Sequence, residues 1–285
     1  MYYSKKLFLL SLLFFSGIFF SKTYDNDSLR GSFTYLLKAK LNTHTPDYIH
    51  EELFSLLIGD NHAFFISSKS LTRDSIIEKS RVTTNNPDGS ITLGLKNGVS
   101  IPNTKFPYTI IQANQNIQYF QLVGMSVLSY KEQIIGDWKL MNETKVINTI
   151  NCKKAEVTFK GRNWIAWYSP EIPFPYGPYK FSGLPGLIVK ITDDKGDFDF
   201  ELVKSIPASK LKGKFITIKK SRYTEAIETT QQKLEQSLKV SRENAAAMLA
   251  SYGTTIIKGQ EELRQRVKER EEALKYENPI ELNKD

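Results

Sequence analysis

The side chains best placed by type and spacing to build a binding site are seven aromatics: Trp164, Trp167, Tyr168, Phe174, Tyr176, Tyr179 and Phe181. They are interleaved with Pro170, Pro173, Pro175 and Pro178. Proline fixes φ and lacks the N–H that a helix or central strand needs, so the segment must run extended or looped. Its rings then either cover a core or line a concave apolar cleft, where rings supply contact area and tyrosine hydroxyls supply orientation. Such a cleft would take a lipid, a peptide or a partner's segment. The alternative is a crossover that plugs one end of a curled sheet.

The other chemistry-bearing groups form no constellation. A nucleophilic Cys152 would need a histidine base, yet His44, His50 and His62 all lie about a hundred residues upstream, in no nucleophile motif. It reads as a buried structural thiol. His44, His50, Glu51, Glu52 and His62 lack HExxH spacing, and Asp193, Asp194, Asp197 and Asp199 lack the closing Glu of a calcium loop. Both groups read as solvated loop residues. Ser126 falls one residue short of a GxSxG elbow, and no glycine-rich phosphate loop precedes a helix. No catalytic residue, metal or cofactor is expected. The remaining enzyme reading is a hydrolase or redox enzyme whose site, using Cys152 or an acidic pair, is assembled only by folding.

After the aromatic run comes Gly183-Leu184-Pro185-Gly186-Leu187-Ile188. Pro185 suits the second position of a type II turn and Gly186 the third, and Leu187 to Ile191 reads as a core strand. The hexapeptide resembles the motif of the GLPGLI family, exported proteins of Bacteroidetes with no characterised function. Agreement extends to Trp138, Cys152 and Ala155, Gly161-Arg162 to Trp167-Tyr168, Glu171-Ile172-Pro173 and Gly177-Pro178. Upstream, Phe54, Leu56, Ile58, Phe64 and Ser67 also match, so the likeness runs from Phe33 to Ile206. The resemblance implies export and supplies no catalytic residues. The strand exit at Trp167 to Pro170 and the crossover after it look similar to lipoprotein-carrier half-barrels, an analogy of fold alone.

Lys5 and Lys6 precede the uncharged run Leu7 to Phe20, the pattern of a secretory signal peptide over residues 1–21. The run is too short to span a bilayer as a helix, which takes about 20 residues. The only cysteine is Cys152, far from the cleavage region, so a lipoprotein is not expected, and a single cysteine forms no internal disulfide. Removing the leader takes two of 39 basic residues, leaving 37 against 31 acidic ones. That mild excess suits a mixed solvated surface, an anionic membrane or an acidic partner, and without a dense Lys/Arg run it gives no reason to expect nucleic acid.

Residues 22–220 read as a β-rich domain. Ser32 to Leu41, Phe54 to Ile58 and Ala63 to Ser67 have strand character, and the polar stretch Ser70 to Asn103 reads as an edge or insertion. From Tyr108 short strand-like runs follow in succession: Tyr108 to Ala113, Ile117 to Val123, Met125 to Tyr130, Trp138 to Asn142, Lys145 to Ile150, Cys152 to Phe159 and Asn163 to Tyr168. Beyond the hexapeptide, Asp197 to Leu202 alternates with period 2. Residues 221–285 read as a helical extension: a long amphipathic helix over Arg222 to Tyr252, then a charged helix over Gln260 to Tyr276. The expected fold is mainly β with C-terminal α, a large curved antiparallel sheet or half-barrel followed by these helices. The expected function is an exported, non-enzymatic binding or accessory protein of the cell envelope. It would be periplasmic or secreted, with no membrane span once the leader is gone, and would contact an apolar ligand, a peptide or an outer-membrane transporter.

Overall fold

A computed structural model describes residues 27–243 except 88, 90 and 114, together with 265, 268, 269, 272 and 274–282. The signal-peptide residues lie outside these. The protein is mainly β: twelve strands form one sheet in the order β14-β8-β7-β6-β3-β2-β1-β13-β12-β11-β10-β9. These are β1 (Gly31–Ala39), β2 (His50–Ile58), β3 (His62–Ser67), β6 (Thr109–Ala113), β7 (Asn116–Val123), β8 (Ser126–Gln133), β9 (Lys139–Ile147), β10 (Ile150–Phe159), β11 (Arg162–Ser169), β12 (Leu187–Asp193), β13 (Phe198–Ser205) and β14 (Ile227–Glu228). Neighbours pair antiparallel except β14, which runs parallel to β8.

Alternation decides which face each strand buries. In β1, Phe33, Tyr35, Leu37 and Ala39 point inward, and in β2, Phe54, Leu56 and Ile58 do. β3 is buried on both faces: Ala63 and Phe65 join the main core, while Phe64 and Ile66 pack with Ile111, Phe120 and Ile218 on the far side. The sheet curls strongly. Lys160, in the turn after β10, lies 3.1 Å from Glu132 of β8, although eight strands separate β8 from β10 in the order. The crossover from β11 to β12 fills the interior of that curl.

Irregular backbone buried this way needs partners for its polar groups. The Gln112 side chain supplies several: Nε2 donates to Gly177 O at 2.7 Å and Tyr179 O at 2.6 Å, while Oε1 accepts from Gly177 N at 3.3 Å. Trp138 donates to Ser182 O at 2.9 Å. At the motif, the Gly186 N–H bonds Leu184 O at 2.8 Å, closing a three-residue turn around Pro185 rather than the expected four-residue type II turn. Gly186 has φ +146, and a Cβ there would sit 2.1 Å from Ser169 O. Glycine is therefore required by backbone conformation and by the close passage of β11.

The stretch 70–103 is an insertion, but it contains a helix, α1 (Ser68–Ser80), followed by a separate two-stranded ribbon of β4 (Arg81–Asn85) and β5 (Ile91–Leu95). The helix escaped notice because it buries only Ser70 and so carries no apolar stripe. Trp138 to Asn142 and Lys145 to Ile150 are not two strands; β9 is continuous to Ile147, with the turn at Asn148 and Thr149, both at positive φ. Residues 223–230 are not helical: a 3-10 turn ends at Arg222, β14 follows, and helix α2 (Gln231–Glu243) starts after Thr230, whose hydroxyl caps Lys233 N at 3.2 Å. The remainder of the expected helix to Tyr252 lies outside the described residues. Of the second expected helix, Gln265, Lys268, Glu269, Glu272 and Leu274 are helical.

Gly186→Ala should lower unfolding stability by about 3 kcal/mol or more, or abolish folding, because it combines strain with a backbone clash. Gly94→Ala, where a Cβ meets nothing within 4 Å, should stay within about 0.5 kcal/mol. Denaturant unfolding of the two variants measures the contrast.

Candidate functional site

Five of the seven aromatics are buried in the main core: Trp164, Tyr168, Tyr176, Tyr179 and Phe181. Trp167 and Phe174 are partly buried and packed against it. Phe181 is the hub, with its ring centroid 4.6 Å from that of Trp164 and 5.7 Å from that of Phe159. Tyr179 also meets Phe181, at 6.1 Å, while Phe174 packs on Phe33 and the Trp167 ring faces Lys145.

What the sequence reading passed over is the residue between two of those rings. Lys180 is fully buried. Its Nζ lies 2.5 Å from Glu281 Oε1 and 2.7 Å from Glu132 Oε2, and donates to Tyr130 Oη at 2.9 Å. The same nitrogen sits 4.9, 5.5 and 5.6 Å from the ring centroids of Tyr130, Tyr179 and Tyr119. A buried ammonium is tolerable only when paired and hydrogen-bonded, and aromatic faces add to its stabilisation. Four parts of the chain meet here: the crossover (Lys180, Tyr179), strands β7 and β8 (Tyr119, Tyr130, Glu132), the first turn of α2 (Gln231) and the segment 274–282 (Glu281).

Glu281 is the point of convergence. Tyr179 Oη donates to its Oε1 at 2.6 Å and Gln231 Nε2 to its Oε2 at 2.7 Å. Burial pushes this carboxyl upward, but the Lys180 charge and the bonds from Lys180, Tyr179 and Gln231 outweigh it and hold the group below the usual carboxylate range. Burial also drives the Tyr108, Tyr119, Tyr130 and Tyr179 hydroxyls well above the ordinary tyrosine value, so they stay protonated. Around the Glu281 carboxylate the chamber places a cation, a hydroxyl and an amide N–H, and the same cation also meets a second carboxylate, Glu132.

The segment carrying Glu281 is tied along its length. Thr43 N bonds Tyr276 O at 2.8 Å, Asn278 N bonds Leu41 O at 2.9 Å, and Leu282 N bonds Lys160 O at 2.9 Å. Arg162, itself buried, donates to Asn278 Oδ1 at 2.5 Å and Pro279 O at 2.8 Å. Its other amino group holds Asp193 at 2.7 Å and Asp197 at 3.3 Å. This corrects the reading of a solvated loop for Asp193 and Asp197, while Asp194 is exposed in the turn: Asp193 is buried, and its Oδ1 also accepts from Phe198 N at 2.8 Å.

The remaining candidates separate. His50 pairs with Glu52 at 3.2 Å, His62 with Asp27 at 3.0 Å, and His44 packs on Tyr276. Glu51 faces Lys38. Glu52 is buried rather than solvated: Ser67 and Thr104 donate to it alongside His50, and although burial pushes its carboxyl up, these bonds with the Lys69 charge bring it below the usual range. Cys152 is buried, and burial pushes its thiol up to about 11. Its low thiolate content at neutral pH makes it a poor nucleophile. Ser126 is exposed at the start of β8. On the outside, β4 is exposed throughout, with Val82 and Ile91 of the ribbon open to solvent. A groove of about 310 Å³ runs along the ribbon past Val82, Thr84, Thr92 and Leu95.

A family model described as a protein of unknown function, Porph_ging, matches residues 156–190, which span the end of β10, all of β11, the crossover and the first half of β12. No curated protein matches the chain. Solved structures of PNGF-II in the P21 and C2 space groups are similar at 13% identity, with TM-scores of 0.49 and 0.48. They align over 74% of this chain and 34% and 33% of theirs, so the chain spans about a third of their length.

A carboxyl held below its unfolded value contributes stability that is present above that value and lost as the pH falls through the folded one. Stability should therefore drop on acidification below about pH 4.5. Glu281→Gln should flatten that drop relative to wild type. Urea midpoints measured from pH 6 to pH 3 on both proteins check it.

Proposed function

We propose that the protein is an exported, non-enzymatic binding or accessory protein of the cell envelope, and that it meets a macromolecular partner through the arm made of α1 and the β4–β5 ribbon. The observation that carries this reading is the ribbon itself. It is a sheet of two strands outside the twelve-stranded one, with β4 exposed along its whole length. A two-stranded ribbon is marginal in water by itself and gains stability from a further strand or packed surface. Its apolar side chains Val82 and Ile91 are exposed, Val82 at the end of the ribbon that carries Lys79, Arg81 and Lys96 and Ile91 opposite Asn85 at the other end, a mixture of apolar and polar groups that suits a docking surface. At its base, Arg222 forks onto Asp74 of α1 at 2.5 and 3.0 Å, which fixes the direction in which the arm leaves the body.

Export is supported by the charged and apolar pattern of residues 1–21. It is supported also by the resemblance of Gly183 to Ile188, within the matched residues, to the GLPGLI family. Periplasmic or secreted location follows from that reading, with an outer-membrane transporter as the partner class proposed. The buried aromatic set then serves as the framework under the partner surface, and an apolar ligand is the secondary candidate for contact. The hydrolase or redox alternative draws no support from Cys152, whose thiol is buried and raised.

The test is cross-linking of the protein in envelopes of its own host, wild type against Val82→Glu/Ile91→Glu. Both substitutions are at exposed positions and should shift stability by no more than about 1 kcal/mol. A reproducible outer-membrane partner, cross-linked through residues 79–96 and lost in the variant, supports the proposal. A partner kept at full yield by the variant, or attached elsewhere, contradicts it.

A further inference from the structure

The chamber around Lys180 carries a second inference, independent of the arm. We infer that this chamber is a recognition site for an acidic extended peptide, and that the chain's own segment 276–282 is its built-in occupant. Three observations support this. First, the segment is bound the way a peptide ligand is bound. Its backbone pairs with Leu41, Thr43 and Lys160, and Glu277 bridges Asn42 in antiparallel fashion, as in the addition of a strand to an existing surface. Three side chains give it a readable sequence. Asn278 is taken by Arg162, Asp197 and Lys40 O, Ile280 packs against the core, and Glu281 enters the Lys180 chamber.

Second, the segment contributes little apolar burial of its own. Among residues 274–282 only Glu281 is buried, while Leu274, Tyr276, Glu277 and Leu282 are exposed. Stretches with few buried apolar contacts and solvent-facing hydrogen bonds open at lower cost than the global fold. Third, the receptor half is built from elements other than the segment. Lys180, Tyr179 and Tyr130 are set by the crossover and β8, Gln231 by α2, and Arg162 by β11 with Asp193. An opened chamber would leave two cations, Lys180 and Lys160, sharing Glu132 as counter-charge, so an incoming segment is favoured when it supplies a carboxylate. The ligand class follows: an extended peptide reading amide, any residue, aliphatic, acid, provided by another chain and competing with residues 278–281.

The full-length protein is tested with a fluorescent peptide of residues 274–282 and the same peptide carrying Glu281→Gln, by anisotropy. Glu281→Ala in the protein weakens the internal occupant. It should bind the acidic peptide at least tenfold more tightly than wild type does, and the Gln peptide at least tenfold more weakly than the acidic one. Adding Lys180→Met should remove that preference. Equal affinity for the two peptides, or a preference that survives Lys180→Met, overturns the inference. Should Glu281→Ala fail to fold, hydrogen exchange of wild type decides. Amides of Asn278 and Leu282 exchanging at least tenfold faster than those of β1 and β12, and slowed by excess acidic peptide, agree with it. Exchange only at the rate of global unfolding contradicts it.

Discussion

A lysine ammonium with no exposure to water sets the main constraint on this fold. Removing such a charge from solvent costs several kcal/mol unless carboxylates and hydrogen bonds surround it. Lys180 finds Glu132, Glu281, Tyr130 and three aromatic faces. Because those partners come from β7, β8 and residues beyond 270, the charge can be satisfied only when the sheet has curled and the segment 274–282 has returned across it. The ion pair therefore couples parts of the chain about a hundred residues apart. It does so through direction and charge, which apolar packing alone would not specify.

The crossover that delivers Lys180 is in turn held by the sheet. Gln112 and Trp138 answer its peptide groups, and Gly186 lets it pass within reach of the end of β11 before β12 begins. Below it, Tyr35 donates to Ile188 O at 2.6 Å, joining β1 to the strand that follows the motif. A second buried charge, Arg162, is treated in the same way on the other side: it anchors Asn278 while Asp193 and Asp197 neutralise it. The two buried cations thus grip the same short segment at Asn278 and Glu281.

Much of the sheet is legible in the sequence, because alternation and turn residues act locally. The strands around Phe54, Phe64, Ile117 and Phe198 and the turn before Leu187 fall where pattern places them. What the sequence hides has definable causes. Helix α1 lies on the surface with one buried residue, so its periodicity is polar. The break before α2 depends on β14 pairing with β8, a contact across about a hundred residues. Nothing in the sequence sets Lys180 apart within its aromatic run, or Glu281 apart among the charges around it. The clue available was Pro279-Ile280, an apolar step in that tail, together with a lysine set directly between Tyr179 and Phe181. Neither clue names its partner, because pairing across a hundred residues leaves no periodic trace.

The central claim, that Lys180 and Glu281 stabilise each other inside the curl, is most directly tested by a double-mutant cycle. Lys180→Met, Glu281→Gln and the double variant would be compared with wild type by urea unfolding at pH 7. Breaking a buried pair from one side typically costs about 3–5 kcal/mol, because the other charge is left unpaired. The account predicts strongly destabilised single variants, a double variant less destabilised than their sum, and a coupling energy of about 2 kcal/mol or more. Additive effects, with a coupling near zero, would mean that the two residues do not depend on each other, and would contradict it.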